Sequence, residues 1–274
     1  MKILLTLEYN GAAFSGWQKQ ENMLTVQGEL ERAVNLYFNA LAKKSRLLHI
    51  DNSSDDGSSD VTVPYISIQG SGRTDAGVHA EGQCADFAVP DGVNFELKRI
   101  AVALNGIVDK NIVVHQASVV DDNFNSRLTP HSKCYSYKFL LQRERPVLDK
   151  GFGWNVGNKL NIKAMLEAAK LFNGSHDFRA FRASDCNSTT TVRWIEKSEL
   201  VRIDETVLQY FVVGRGFLKQ MVRIIAGTLV DVGRGKISVQ QVGKLLENGG
   251  ELERKHAGET APAGGLCLEW VRYL

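Results

Sequence analysis

The chain has 274 residues, 43% of them hydrophobic, with 33 Lys and Arg against 31 Asp and Glu for a net charge of +2. That supports one large domain or two modest ones with their own cores, and the absence of an apolar run of about eighteen residues excludes a transmembrane span. Near-neutral charge does not by itself announce a nucleic-acid partner, and four cysteines without a C-x-x-C pair argue against a zinc site or a disulfide framework.

In chain order, Lys2 to Tyr9 alternates as a strand and carries no signal-peptide cleavage pattern, so a cytoplasmic protein is expected. Thr25 is a suitable N-cap for a helix that puts Val26, Leu30, Ala33, Val34, Tyr37, Phe38 and Leu41 on one face. The run from Asp51 to Asp60 is polar and acidic, and is predicted to be a mobile surface insertion. Pro64 to Gln69 is predicted as a strand delivering the run Gly70-Ser-Gly-Arg-Thr-Asp-Ala-Gly77, with a further strand at Gln83 to Val89. A short helix from Phe95 to Gly106 capped by Asn94 and a β-branched strand from Asn111 to Val120 complete this half.

A similar order follows. Cys134 to Leu141 alternates, with Tyr135, Tyr137, Phe139 and Leu141 on one face. Asn161 caps a helix with Ile162, Met165, Leu166, Ala169 and Phe172 inward, closed by Gly174. Strands are predicted at Thr191 to Ile203 and Val207 to Val213, helices at Phe217 to Val230 and at Val239 to Glu247 capped by Ser238, and a last strand at Leu266 to Tyr273. In the Phe217 helix, Phe217, Met221, Ile224, Ile225 and Thr228 read as core, with Lys219, Arg223 and Ala226 on another face. Each half is α+β, and the predicted domains are 1–122 and 123–274.

The glycine run is the chemically informative stretch. Its spacing is G-x-G-x-x-x-x-G rather than a dinucleotide fingerprint, it lacks the G-K-[ST] of a P-loop, and Asp75 would repel a cradled phosphate. The alternative use is to present a carboxylate on a tight backbone beside a flat substrate, with Arg73 as a planar cation able to stack on bases or hold phosphates. A structural turn pair of Arg73 and Asp75 satisfies the same residues. Charge is segregated: Arg127, Lys133, Lys138, Arg143 and Arg145 face only Glu144 within their stretch, and Arg215, Lys219, Arg223, Arg234 and Lys236 only Asp231. Such clustering gives one face a positive field, as does an ordinary solvated surface.

The sequence resembles the tRNA pseudouridine synthase A family from first strand to last. The segments that carry the resemblance are Tyr9-Asn-Gly-Ala-Ala-Phe-Ser-Gly-Trp-Gln-Lys-Gln20, Thr25-Val-Gln-Gly-Glu-Leu-Glu-Arg-Ala33 and Gly72-Arg-Thr-Asp-Ala-Gly-Val-His-Ala80. Ala103-Leu-Asn105, His176-Asp-Phe178, Gly216-Phe-Leu-Lys-Gln-Met-Val-Arg223 and Ala261-Pro-Ala-Gly-Gly-Leu266 follow in family order. The resemblance implies two ferredoxin-like α+β halves sharing a continuous, mainly antiparallel sheet with flanking helices. It further implies a cofactor-free, metal-free homodimer that converts uridine to pseudouridine on the 3′ side of the tRNA anticodon arm.

By the same resemblance, Asp75 is the catalytic aspartate, Arg73 the base-flipping and phosphate-contacting residue, Tyr135 the tyrosine stacked on the target uracil, and Arg223 the basic partner of the aspartate. The reaction needs such groups. A carboxylate can attack C1′, add to C6 or remove a sugar proton, and a duplexed base must leave its stack before any of these. Lys133 and Arg215 are added as RNA-backbone contacts, with Lys138 flanking Tyr135. His79 and His176 are read as structural. Departures from the family pattern are Asn10 for an aspartate and Arg179-Ala180 for a small hydroxyl pair, Arg179 and Arg182 being candidate RNA contacts. The proline common after Ala-Leu-Asn is missing, and the acidic insertion is unusual. Two rival readings are a catalytically silent RNA-binding protein and a nicotinamide-dependent enzyme; the intact Asp75 counts against the first, the loop spacing against the second.

Overall fold

A computed structural model describes residues 1–49, 63–144, 152–247 and 253–274, with the side chains of 46–49 excepted. The acidic insertion and Arg145 lie outside the described residues. The chain divides into two compact units, Met1–Thr129 and Pro130–Leu274. Residues 123–129 go with the first because Ser126 N donates to the Asp86 carboxylate at 2.7 Å and Ser126 Oγ to Gln69 O at 2.6 Å.

In the first unit, β1 (Lys2–Tyr9) lies between β3 (His79–Ala88) and β4 (Ile112–Val120), antiparallel to both, and β2 (Gln69–Gly70) adds to β3. Alternation along β1 turns Ile3, Leu5, Leu7 and Tyr9 inward, all at most 2% exposed. They are covered with Val26, Leu30, Ala33, Val34 and Phe38 of α1 (Val26–His49), and Phe38 meets Phe87 and Phe95 edge-on at 5.7 and 5.9 Å. Each such side chain removed from water contributes about 1.5–3 kcal/mol. Thr25 caps α1 through Gly28 N, as its position predicts. The helix α2 (Leu97–Asn105) starts at Glu96, without a side-chain cap, so Asn94 does not play the capping part assigned to it.

Residues 64–68 join no ladder, and of the predicted strand only Gln69 pairs, together with Gly70. The reason lies on α1. Gln27, Glu31, Asn35 and Asn39, spaced four apart, form a polar ridge that hydrogen-bonds this backbone in place of a neighbouring strand. Asn35 accepts from Ile66 N (2.9 Å) and donates to Ile66 O (2.9 Å); Glu31 accepts from Ile68 N, Gln27 donates to Ile68 O, and Asn39 accepts from Val63 N.

In the second unit the strand order is β10 (Leu266–Tyr273), β5 (His131–Leu140), β9 (Val207–Gly214), β8 (Val192–Arg202), β7 (Gly174–Asp177), all antiparallel to their neighbours. β6 (Trp154–Asn155) runs parallel to β5 at Phe139 and Leu140, beyond the point where β10 begins opposite Tyr137. α3 (Ile162–Lys170) is capped by Asn161, packs on β8 and buries Met165, Ala168 and Ala169; Leu166, expected inward, is 37% exposed. α4 (Met221–Gly233) starts four residues later than its pattern predicts, because Gln220 sits in the left-handed region at φ 60°. Ala226 is fully buried, so α4 is enclosed on more sides than the amphipathic reading allows. α5 (Val239–Leu245) opens with a reciprocal capping box between Ser238 and Gln241.

Candidate active site

The loop from Gly70 to Val78 is fastened at several points. Ser71 N donates to Cys84 O at 2.8 Å, Ser71 Oγ to Gln83 Oε1 at 2.6 Å, and Gln83 Nε2 to Gly72 O at 3.0 Å. Gln83 is wholly buried, so these bonds form away from water, where leaving them unmade is costly. Thr74 is held twice: its hydroxyl shares a 2.8 Å hydrogen bond with Tyr9 and its carbonyl accepts from Trp17 N at 3.1 Å. A turn closes from Val78 N to Asp75 O, with Gly77 at φ +81°.

The opening motif of the sequence is the other half of this clamp. A Cβ at Gly16 would stand 2.9 Å from Thr74 O, one at Gly11 1.9 Å from Val78 O, and one at Gly70 2.4 Å from the Trp17 ring. Three glycines therefore bring backbone flat against backbone or indole. His79 Nδ1 accepts from Gly11 N at 3.2 Å, which leaves the ring proton on Nε2 and gives this buried histidine the structural role expected of it. Asn10 caps the short turn Gly11–Ala13 through Ala12 N, a task an aspartate performs equally well. At the loop's apex Arg73 is exposed and Asp75 half-buried.

In the second unit Tyr135 lies on β5 opposite Val212 and Leu268, is 8% exposed, and meets Phe217 edge-on at 5.1 Å. Tyr137, two residues along the same face, is completely enclosed; its hydroxyl donates to Pro262 O at 2.7 Å, and Gly265 lies against its ring. Burial drives its phenol far above the usual range, opposed only in part by the positive charge of Arg223. Tyr137 is thus a neutral packing group. Arg223, half-buried in the first turn of α4, donates from Nε to Ala261 O at 2.8 Å, and Ala261 N returns a bond to Arg223 O. The closing motif therefore fixes the guanidinium, and the left-handed Gln220 sets the helix start behind it at a cost of order 1 kcal/mol.

Lys133 is half-buried opposite Gly214 and Val271, and Arg215 is exposed beside Trp194. Arg73 and Asp75 thus share one loop of the first unit, while Lys133, Tyr135, Arg215 and Arg223 belong to β5, the end of β9 and α4 in the second. Arg179, a candidate RNA contact, pairs with Asp177: its Nε donates at 2.7 Å to that carboxylate, whose side chain is 1% exposed. His176 Nε2 bonds Asn173 O at 2.7 Å. Sequence reasoning gave Tyr9, Thr74 and Gln83 no part, although the first two stand inside quoted motifs, and it read Phe217 as core alone.

The mixed α+β chain thus carries a clamped glycine-rich loop that presents a carboxylate in one unit and a tyrosine strand beside an arginine-bearing helix in the other. Residues 168–274 match the family described as tRNA pseudouridine synthase. The chain is 40% identical over 271 residues to tRNA pseudouridine synthase A of Citrifermentans bemidjiense, covering 99% of this chain and 97% of that protein. It is 36% identical over 271 residues to the protein of the same name from Acetivibrio thermocellus and 34% to that from Clostridium acetobutylicum, with 99% of both chains covered in each case. The chain belongs to the tRNA pseudouridine synthase A family.

Proposed function

We propose that the protein is a cytoplasmic, homodimeric isomerase that converts uridine to pseudouridine in the anticodon arm of tRNA, with Asp75 as the group at which the chemistry starts. The reaction breaks the C1′–N1 bond and makes C1′–C5; C5 gives up a proton and N1 takes one, so no electrons are gained or lost and no cofactor is required. A carboxylate suffices whether it acts on C1′, on C6 or on a sugar proton. Arg223 is assigned the part of the aspartate's basic partner. Tyr135 holds the detached uracil by its ring face, Arg73 occupies the space the flipped nucleotide leaves, and Lys133 and Arg215 contact the RNA backbone.

The observation that carries this reading is the loop. Gly70 to Val78 is bound by Gln83, Tyr9, Trp17 and the glycines at 11 and 16, while the charged side chains it presents are an exposed Arg73 and a half-buried Asp75. A loop held this firmly pre-orients a reacting group, the condition under which positioning lowers a barrier most. The test is to map pseudouridine in tRNA from cells lacking the protein. Anticodon-arm pseudouridines are expected to disappear and to return on complementation with the wild-type chain but not with Asp75→Asn. An unaltered map would contradict the proposal.

A further inference from the structure

We propose that Glu31 is a positioning residue for the reaction: one ionised carboxylate, buried on α1, ties together the two chain segments that grip the Asp75 loop. The inference rests on Asp75 being the reacting group and adds a residue outside the loop on which its placement depends. The Glu31 side chain is 5% exposed, and a charge so far out of water is tolerated only when it is paired and hydrogen-bonded. Four donors converge on it. Oε1 accepts from Ile68 N at 3.1 Å and Gln27 Nε2 at 3.3 Å; Oε2 accepts from Lys19 Nζ at 2.9 Å and the Tyr65 hydroxyl at 2.7 Å. Lys19 Nζ also donates to the Tyr65 oxygen at 2.6 Å, so ammonium, phenol and carboxylate close a triangle. Only an ionised carboxylate offers acceptor sites to all four and no donor to oppose them.

The donors come from both legs of the loop. Ile68 stands two residues before Gly70, and its carbonyl is held as well, by Gln27 Nε2 at 2.9 Å. Lys19 belongs to the opening motif, where its N–H donates to Gln27 Oε1 at 2.9 Å and Gln27 N donates to Trp17 O at 3.0 Å. Trp17 N in turn donates to Thr74 O at 3.1 Å, one residue from Asp75, and its indole lies against Gly70. Gln27 and Glu31, one helical turn apart, therefore hold both legs from a single helix. Stability alone does not ask for an ion here, since a buried pair is often no better than apolar groups of the same volume. What the ion specifies is one register between Ile68 and Lys19, and through them the place of Thr74 and Asp75.

The test uses the full-length protein and tRNA tritiated at uridine C5, with enzyme in saturating excess. Glu31→Gln keeps the side chain's size but turns an amide donor toward other donors. It is expected to release tritium about ten- to a hundredfold more slowly than the wild type, as misplacement of a reacting group does, with Kd for tRNA unchanged. Lys19→Met alters a side chain half open to solvent and leaves the core intact. It is expected to slow release about threefold, the scale of one ion pair in contact with water, and Lys19→Arg should restore the wild-type rate. The double variant should be no slower than Glu31→Gln alone, because the ammonium no longer faces an amide.

A wild-type rate in Glu31→Gln, or in Lys19→Met should Glu31→Gln not fold, would overturn the proposal. So would a Glu31→Gln deficit that vanishes once the rate is divided by the folded fraction from circular dichroism. A Lys19→Met defect confined to Kd would make Lys19 an RNA contact and sink it equally. Absence of tritium release from the wild type defeats the functional reading, whereas equal release by the wild type and both single variants defeats this inference alone.

Discussion

The hydroxyl of Tyr9 reaches Thr74 at 2.8 Å in a buried setting, one residue before Asp75. Tyr9→Phe removes one oxygen and leaves the Thr74 hydroxyl short of a partner, at a cost of about 1 kcal/mol. Because Thr74 adjoins the carboxylate, kcat is expected to fall while KM for tRNA stays nearly constant; a matching rise in KM would mean that the bond serves binding instead. Cys134 makes a separate point. Burial, helped by the Glu269 charge, pushes its thiol up to about 12, so its thiolate is scarce at pH 8. Mass spectrometry after brief treatment with a disulfide reagent is expected to find Cys134 unlabelled in the folded protein and labelled in urea. Asp75, proposed as the reacting group, stands in a motif the sequence displays, whereas the holding parts of Thr74 and Gln83 do not show there, because a motif does not state which of its residues react and which hold the others.

At the scale of elements, the polar ridge on α1 replaces a strand. The strand expected from Pro64 to Gln69 pairs only at Gln69, because the local sequence carries no information about what bonds that backbone. The answer is written elsewhere, in Gln27, Glu31, Asn35 and Asn39 at four-residue spacing. Asn35→Ala would strip both backbone partners from Ile66, itself 5% exposed, and is expected to cost about 3 kcal/mol in urea unfolding. An effect below about 0.5 kcal/mol, the range of ordinary surface substitutions, would show that the ridge is ornamental. Gly11→Ala drives a Cβ into Val78 O, backbone against backbone, and the loop has to shift. Since misplacement of about an ångström costs on the order of a hundredfold in rate, turnover should collapse by that much with the far-ultraviolet spectrum retained. The late start of α4 was illegible for a related reason: its apolar pattern continues back to Phe217, and the left-handed Gln220 that interrupts it has no sequence signature.

For the whole molecule, the α+β class follows from alternating segments that each need a covering layer. Strand order does not follow, since it depends on pairings between distant residues. Stability should depend on pH through Asp177. Burial works to raise its pKa, but the bonds from Arg179 and Thr191 prevail and hold it below the ordinary carboxylate value. A depressed folded-state pKa contributes stability above the unfolded value, about 3.9, and that contribution is lost as pH falls through the folded value. The stability gap between wild type and Asp177→Asn is therefore expected to be largest near pH 7 and to shrink toward pH 3; a gap independent of pH would contradict the assignment.

The central claim is that the Asp75 carboxylate starts the isomerisation. Its most direct test is single-turnover tritium release from tRNA labelled at uridine C5, comparing wild type with Asp75→Asn at protein concentrations that saturate binding of both. The account expects full release from the wild type and none above background from the variant, with tRNA still bound. Appreciable release by Asp75→Asn would contradict it.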